Sequence, residues 1–273
     1  MSGTGGSSLP PKPQRIAVTR QVSSAMMRCE LTHLERSVID VALAREQHHA
    51  YERALRALGC EVESLPEESE FADSVFVEDT AIVLEEVAVI TRPGAPSRRA
   101  ETASIARVLG KHRALVRIEA PGTLDGGDVL RIARTLYVGA SSRSNAGGIG
   151  QLGGLLLPFG YRVLRVPMRG CLHLKSAVTQ VGKELLLINS RQVDREQFPG
   201  VRFIEVDESE PTAANALLIG EDVVYPAAHP RTAEVMRRQG IRVHTVEMSE
   251  TEKAEGGVTC CSLLLEKNRS ESP

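Results

Sequence analysis

The chain has 273 residues, enough for one large domain or two small ones. Hydrophobic residues make up 42% and charged residues 25%, the balance of an ordinary soluble globular protein. With 33 Lys and Arg against 35 Asp and Glu, the net charge of −2 argues against a nucleic-acid binder, and no apolar run is long enough to cross a bilayer.

Taken in order, Met1 to Pro13 is a Gly/Ser/Pro-rich tail without a signal peptide's apolar core. Gln14 to Thr19 reads as a strand. Val38 to Leu58 reads as a helix, with Val41, Ala44, Tyr51, Leu55 and Leu58 at helical spacing and Gly59 as its stop. Cys60 to Leu65, Ala81 to Leu84 and Val87 to Thr91 read as strands, and Arg98 to Leu109 as a helix ending at Gly110. The pattern then repeats. Strands are expected at Leu115 to Glu119, Val129 to Ile132, Leu136 to Val138, Arg162 to Val166, His173 to Val178 and Leu185 to Ile188, with a helix over Gly147 to Leu157. The last strands are Val201 to Val206, Ala216 to Ile219, Val223 to Tyr225, Ile241 to Glu247 and Val258 to Leu265. Pro230 to Gln239 is a helix with proline at its start and glycine after it. A strand–strand–helix–strand unit thus recurs about five times, which suggests a repeat architecture with strands gathered round a centre. Residues 14–267 form one domain in this reading, and 268–273 a second loose tail. Aromatic residues are only 3% of the chain, with no Trp, so the core must be aliphatic.

The five cysteines are an odd number without zinc-type spacing, which points to a reduced, cytosolic protein. In Glu255-Gly256-Gly257-Val258-Thr259-Cys260-Cys261, a glycine pair delivers a cysteine onto an apolar run. Such a thiol is a buried structural residue unless its pKa is lowered and a base lies nearby. The two adjacent cysteines point to opposite faces of the expected strand. Asp73, Glu78 and Asp79 flank Val75-Phe76-Val77. Alone they mark a strand meeting solvent; together they could clamp a guanidinium, whose forked N–H groups pair with carboxylates. Asp125-Gly126-Gly127-Asp128 is a tight turn or a carboxylate holding a histidine's second nitrogen. His173 lies between leucines, a common setting for a packed core histidine. Arg98 and Arg143 would normally be solvated, yet either could grip a carboxylate.

Several of these motifs occur together in order: Phe76-Val77-Glu78-Asp79, Thr91 to Arg99, Thr123 to Leu130, Leu172-His173-Leu174-Lys175-Ser176 and Thr259-Cys260-Cys261-Ser262. From about Leu31 to Leu265 the chain resembles the dimethylarginine dimethylaminohydrolases, of the guanidine-modifying superfamily. The resemblance implies an α/β fold, the five-bladed α/β-propeller or pentein, with the active site in a central channel. It implies Cys260 as nucleophile, His173 as acid/base and Asp125 as the carboxylate orienting it. Asp73, Glu78 and Asp79 would surround the substrate guanidinium. Arg98 and Arg143 would hold its α-carboxylate, and Leu31 and the backbone near Ala254 its α-amino end. Where Ala254 stands, family members often carry valine.

The implied reaction is hydrolysis of Nω-methylated arginine to citrulline and dimethylamine or methylamine, through a covalent thiouronium on Cys260. It needs no metal or organic cofactor. The expected partner is a small-molecule substrate, with neither nucleic acid nor membrane, and the resemblance allows either a single chain or a homodimer. Arginine deiminases share the acid-Gly-Gly-Asp, His and Cys elements but usually carry Asp where this chain has Lys175. An amidinotransferase would keep the cysteine and use an amine acceptor. A non-catalytic, ribosome-associated factor of the same fold would lack the Cys–His–acid set.

Overall fold

The computed structural model describes residues 14–267. Both expected tails, 1–13 and 268–273, lie outside the described residues. The strands, in chain order, are β1 (Arg15–Arg20), β2 (Cys60–Leu65), β3 (Ala81–Val83), β4 (Val87–Ile90), β5 (Ala114–Arg117), β6 (Val129–Ile132), β7 (Thr135–Gly139) and β8 (Arg162–Val166). They continue with β9 (Val178–Gly182), β10 (Leu185–Ile188), β11 (Arg202–Glu205), β12 (Leu217–Ile219), β13 (Asp222–Pro226), β14 (Arg242–Val246) and β15 (Leu263–Glu266). The helices are α1 (Val41–Ala57), α2 (Thr102–Leu109), α3 (Ala146–Leu156), α4 (Leu174–Ala177), α5 (Pro230–Arg238) and α6 (Ser249–Glu252).

These strands make five three-stranded sheets: β3-β4-β5, β6-β7-β8, β9-β10-β11, β12-β13-β14 and β15-β1-β2. In each, the middle strand pairs antiparallel with one neighbour and parallel with the other. The parallel step needs a crossover, which a helix supplies. Four of the blades have an α-helix there (α1, α2, α3 and α5). In the β9-β10-β11 blade the connection carries only the 3₁₀ turn Arg195–Gln197, so the expected helix is missing from that unit. The last blade joins the two ends of the domain: β15 lies antiparallel to β1 with Ile16 opposite Leu265.

Two helices, α1 and α3, start on side-chain caps. Asp40 accepts the N–H groups of Ala42 and Leu43, and Asn145 that of Gly148. Helix α1 buries Ala44, Tyr51 and Leu55, and Gly59 beyond its end adopts φ 88°, a conformation that glycine takes freely. The core is aliphatic, in five clusters that fill the spaces within and between blades. The first strand of every blade (β3, β6, β9, β12 and β15) lines a central cavity of about 540 Å³, open on one side of the ring. Connecting loops gather on the other side.

Two expected strands fail where the site begins. His173 to Ala177 is not extended: Leu174–Ala177 forms one helical turn before β9. Its first N–H, from Leu174, is taken by the Asp128 carboxylate. Val258 to Ser262 is a turn, and β15 starts only at Leu263. Side chains capture the backbone there. Tyr51 Oη donates to the Val258 carbonyl, and the Thr259 N–H donates to Asn215 Oδ1.

Candidate active site

The turn before β15 carries Cys260. Its Sγ accepts the Gly257 N–H at 3.3 Å, and its carbonyl accepts the Glu78 N–H at 3.1 Å, tying the cysteine turn to the turn after Phe76. Cys261 diverges from it within the turn rather than by strand alternation. Cys261 is fully buried in the core beside Tyr51, while Cys260 is half-buried and borders two joined cavities.

Three acids and a histidine form the inner wall. Nε2 of His173 lies 3.0 Å from Asp125 Oδ2, and Nδ1 lies 3.8 Å from Asp79 Oδ1. Asp125 is held in turn: Oδ1 accepts the Gly94 N–H, and its own N–H donates to Ser144 Oγ. Gly127 has to be glycine here, because a Cβ would meet both Asp79 Oδ1 and His173 Nδ1 at 2.7 Å. The second acid of that turn, Asp128, does not touch the imidazole. It accepts Ser141 Oγ, Ser144 Oγ and the Leu174 N–H, pinning both neighbouring loops.

Burial alone would lower the His173 pKa, but the carboxylates of Asp79, Asp125 and Asp128 outweigh it and push the imidazole up to about 9. The ring is therefore an imidazolium at neutral pH. Burial, with Glu78 and Asp79 nearby, pushes the Cys260 thiol up to about 12, opposed by the Gly257 N–H and Lys175. The resting site thus pairs a neutral thiol with a charged acid. Ligand atoms of Asp79, Asp125 and His173 lie within 4.8 Å of one another, a spacing that could hold a metal. Protein donors already occupy them: Arg98 and the Gly127 N–H take Asp79, and His173 takes Asp125.

The remaining expected site residues separate into layers. Asp73, Asp79, Arg98, Arg143, His173, Ala254 and Cys260 border one narrow cleft. Arg98 is buried in it, with all three guanidinium nitrogens engaged: Nη1 with Asp79 at 2.5 Å, Nε with Glu101, and Nη2 with Glu101 and the Asp73 and Phe76 carbonyls. Arg143 is half-buried at the rim, where Nη2 donates to Thr32 Oγ1 at 3.0 Å. Asp73 accepts the Glu30 N–H, and burial raises its carboxyl pKa. Leu31 follows Glu30 in the loop above the cleft. Glu78 lies on the other side of the floor. Its oxygens take Lys175 Nζ at 2.5 Å and Thr259 Oγ1 at 2.7 Å, and all three residues line the rear, strand-walled cavity. A second front cavity of about 350 Å³ adjoins the cleft at Leu172, Glu255, Gly256 and Cys260.

Sequence reasoning missed Glu101, Ser144 and Asn215, and offered Asp128 only as a turn residue or a partner of the histidine. Asn215 lies in a small-residue run with no local sign of its role. It donates to the Lys175 carbonyl and to Thr259 Oγ1, both at 3.0 Å, bracing the cysteine turn.

A ring of five three-stranded blades, with a cysteine, an acid-held imidazolium and a carboxylate wall at one mouth of its channel, defines a guanidine-modifying enzyme of the α/β-propeller class. The sequence model described as "N,N dimethylarginine dimethylhydrolase, eukaryotic" matches residues 12–201. The N(G),N(G)-dimethylarginine dimethylaminohydrolase of Streptomyces coelicolor is 42% identical over 255 residues, 93% of this chain and 98% of that one. The Pseudomonas aeruginosa enzyme of the same name is 40% identical over 82% of this chain and 89% of its own. The crystal structure of a cysteine-to-serine variant of the P. aeruginosa protein, complexed with citrulline, superposes with a TM-score of 0.89 at 36% identity, covering 93% of this chain and 99% of the other. This chain belongs to the dimethylarginine dimethylaminohydrolase family.

Proposed function

We propose that the protein hydrolyses Nω-methylated arginines to citrulline and the corresponding methylamine, with Cys260 as nucleophile and His173 as acid and then base. The observation that carries this reading is the Cys260 thiol bordering one cleft with the Asp125-held His173 and the buried Asp79 carboxylate. A cationic guanidinium fits a cleft whose inner wall is acidic. Asp79 faces it from beside the imidazole, and Asp73 from beneath the loop that carries Leu31. Arg143 at the rim receives the α-carboxylate; Arg98 adds its charge from below, its nitrogens being held by Asp79 and Glu101. Leu31 and the backbone at Ala254 receive the α-amino end. Glu78 acts from behind the floor, through its charge and through Thr259.

The charge states set the order of events. A thiol pushed up to about 12 is a poor nucleophile at neutral pH. A bound guanidinium brings a positive charge that offsets Glu78 and Asp79, so substrate helps to ionise its own attacker; the thiol proton leaves to solvent, because His173 is already protonated. The thiolate adds to the guanidinium carbon. His173, an imidazolium at the outset, gives its proton to the departing amine, and the C–N bond breaks to leave a thiouronium on Cys260. The neutral imidazole then takes a proton from water, the hydroxyl adds to the same carbon, and the C–S bond breaks. One residue serving both proton transfers contributes roughly 10²–10⁴-fold.

The test is citrulline release from asymmetric dimethylarginine, monomethylarginine and arginine in parallel, with Cys260→Ser as the blank. Turnover of the methylated pair, lost in the variant, is the expected result. Turnover of arginine alone would make the protein a deiminase with the same apparatus. Turnover surviving in the variant would overturn the nucleophile.

A further inference from the structure

Glu255 belongs to no part of the chemistry above, yet it has unusual geometry. It sits five positions before Cys260 and adopts φ 58°, a left-handed conformation uncommon for a residue with a side chain. Its carboxylate accepts three successive backbone N–H groups from the overlying loop: Thr32 at 2.9 Å, His33 at 2.5 Å and Leu34 at 2.7 Å. Converging N–H groups of this kind make an anion-binding nest. Here the anion is part of the protein.

Elsewhere the loop is held at a few points: Leu31 packs against the core, and Arg36 donates to the Met27 and Cys29 carbonyls. Thr32, His33 and Leu34 are exposed. Glu30 anchors one end, its N–H on Asp73 and its carboxylate on Ser97. Thr32 Oγ1 meets Arg143. Among the described residues, the only acceptor of the three N–H groups is Glu255. The same residue borders both front cavities together with Gly256 and Cys260.

We propose that Glu255 is a positioning residue: it latches the loop carrying Leu31 onto the cysteine turn and so sets where a substrate's amino-acid end meets Leu31 and Arg143. This rests on the amino-acid end being received there. The latch also accounts for the left-handed backbone. The φ of residue 255 would suit glycine, but a glycine has no carboxylate to aim at the nest.

The test uses the full chain with Glu255→Gln, Glu255→Asp and Glu255→Gly, read by methylarginine kinetics, thermal midpoint and amide hydrogen exchange. Glu255→Gln should raise KM about tenfold or more with kcat nearly unchanged, and speed exchange at Thr32, His33 and Leu34. Glu255→Asp should recover part of both. Glu255→Gly separates latch from stability: glycine accepts φ 58° freely, so the midpoint should hold or rise while KM and loop exchange increase. Unchanged KM and exchange in the Gln and Gly variants would overturn the proposal, as would KM losses that track a fall in the midpoint. If the wild-type chain turned over no methylarginine, the functional reading would fail, and loop exchange would still decide whether Glu255 latches the loop.

Discussion

Arg98 and Arg143 look alike in sequence and were expected to act as a pair, but the fold uses them in opposite ways. Arg98 is a structural cation. It is buried, all three nitrogens are committed, and it joins Asp79 to Glu101 beneath the cleft. Arg143 stands at the rim, half-buried, with a single side-chain hydrogen bond among the described residues, to Thr32 in the loop above. The contrast extends to their surroundings. The inner layer of Asp79, Asp125, His173 and Arg98 is fixed by charge-assisted bonds inside the protein. The outer layer of Arg143, Thr32 and Glu255 is made of exposed backbone and a few polar contacts. In the proposed reaction the proton donor belongs to the firmly bonded layer, and contacts to the substrate's amino-acid end belong to the less constrained one.

Substituting each arginine by methionine breaks the comparison most directly. Arg98→Met leaves the buried Asp79 and Glu101 carboxylates without their cation, so stability should fall by roughly 3–5 kcal/mol. Denaturant unfolding would measure it, and activity should fall with the fold. A loss below about 1 kcal/mol would mean that Arg98 is not the keystone of the inner layer.

His173 gives the next largest effect, because the inner layer stores charge. Its folded pKa of about 9 lies above the ordinary 6.5, so the folded state binds the extra proton more tightly. That stabilisation is fully present below about pH 6.5 and is lost as pH rises through 9. Between those limits stability should decline by about 3 kcal/mol. A wild-type stability that is flat between pH 6.5 and 9 would show that the carboxylates do not hold the imidazolium.

These layers also mark what the sequence could disclose. The strands were legible because short apolar runs between Gly and Pro breaks leave few alternatives. Taken alone, the Asp-Gly-Gly-Asp turn reads equally as a hairpin and His173 as a core residue; only the family resemblance of the surrounding motifs marks them as chemistry. The two arginines could not be told apart, since burial of Arg98 depends on Asp79, Glu101 and the Phe76 carbonyl arriving from elsewhere. Val258 to Ser262 reads as a strand by composition, and Tyr51, Glu78 and Asn215, all distant in the chain, hold it as a turn. Closure of the ring by β15 against β1 likewise has no local signal. Glu255 was passed over because nothing in the sequence shows that three N–H groups converge on it.

Arg143→Met tests the outer layer. With no buried charge orphaned, stability should stay within about 0.5 kcal/mol of wild type. KM for methylarginine should rise roughly 10–100-fold, the loss of one or two charge-assisted hydrogen bonds to a carboxylate, with kcat much less affected. Agmatine-like methylguanidines, which lack the carboxylate, should not distinguish variant from wild type. A KM unchanged for methylarginine would move the carboxylate away from Arg143.

The smallest effect belongs to Lys175, which faces away from the cleft and reaches Cys260 only through charge. It pairs with Glu78, and Glu78 holds Thr259, the neighbour of the nucleophile. Removing the cation in Lys175→Met exposes Cys260 to an uncompensated Glu78, so the thiol should ionise less readily and iodoacetamide alkylation should slow by a few-fold at alkaline pH. Burial already raises the Glu78 carboxyl pKa, and losing Lys175 raises it further, so any proton Glu78 takes up toward lower pH offsets part of the effect. The difference from wild type should therefore grow as pH rises. Adding Glu78→Gln to Lys175→Met should cancel it, because a neutral amide leaves no charge to compensate. A slowing that persists in the double variant would mean that Lys175 acts through packing of the floor and not through the charge of Glu78.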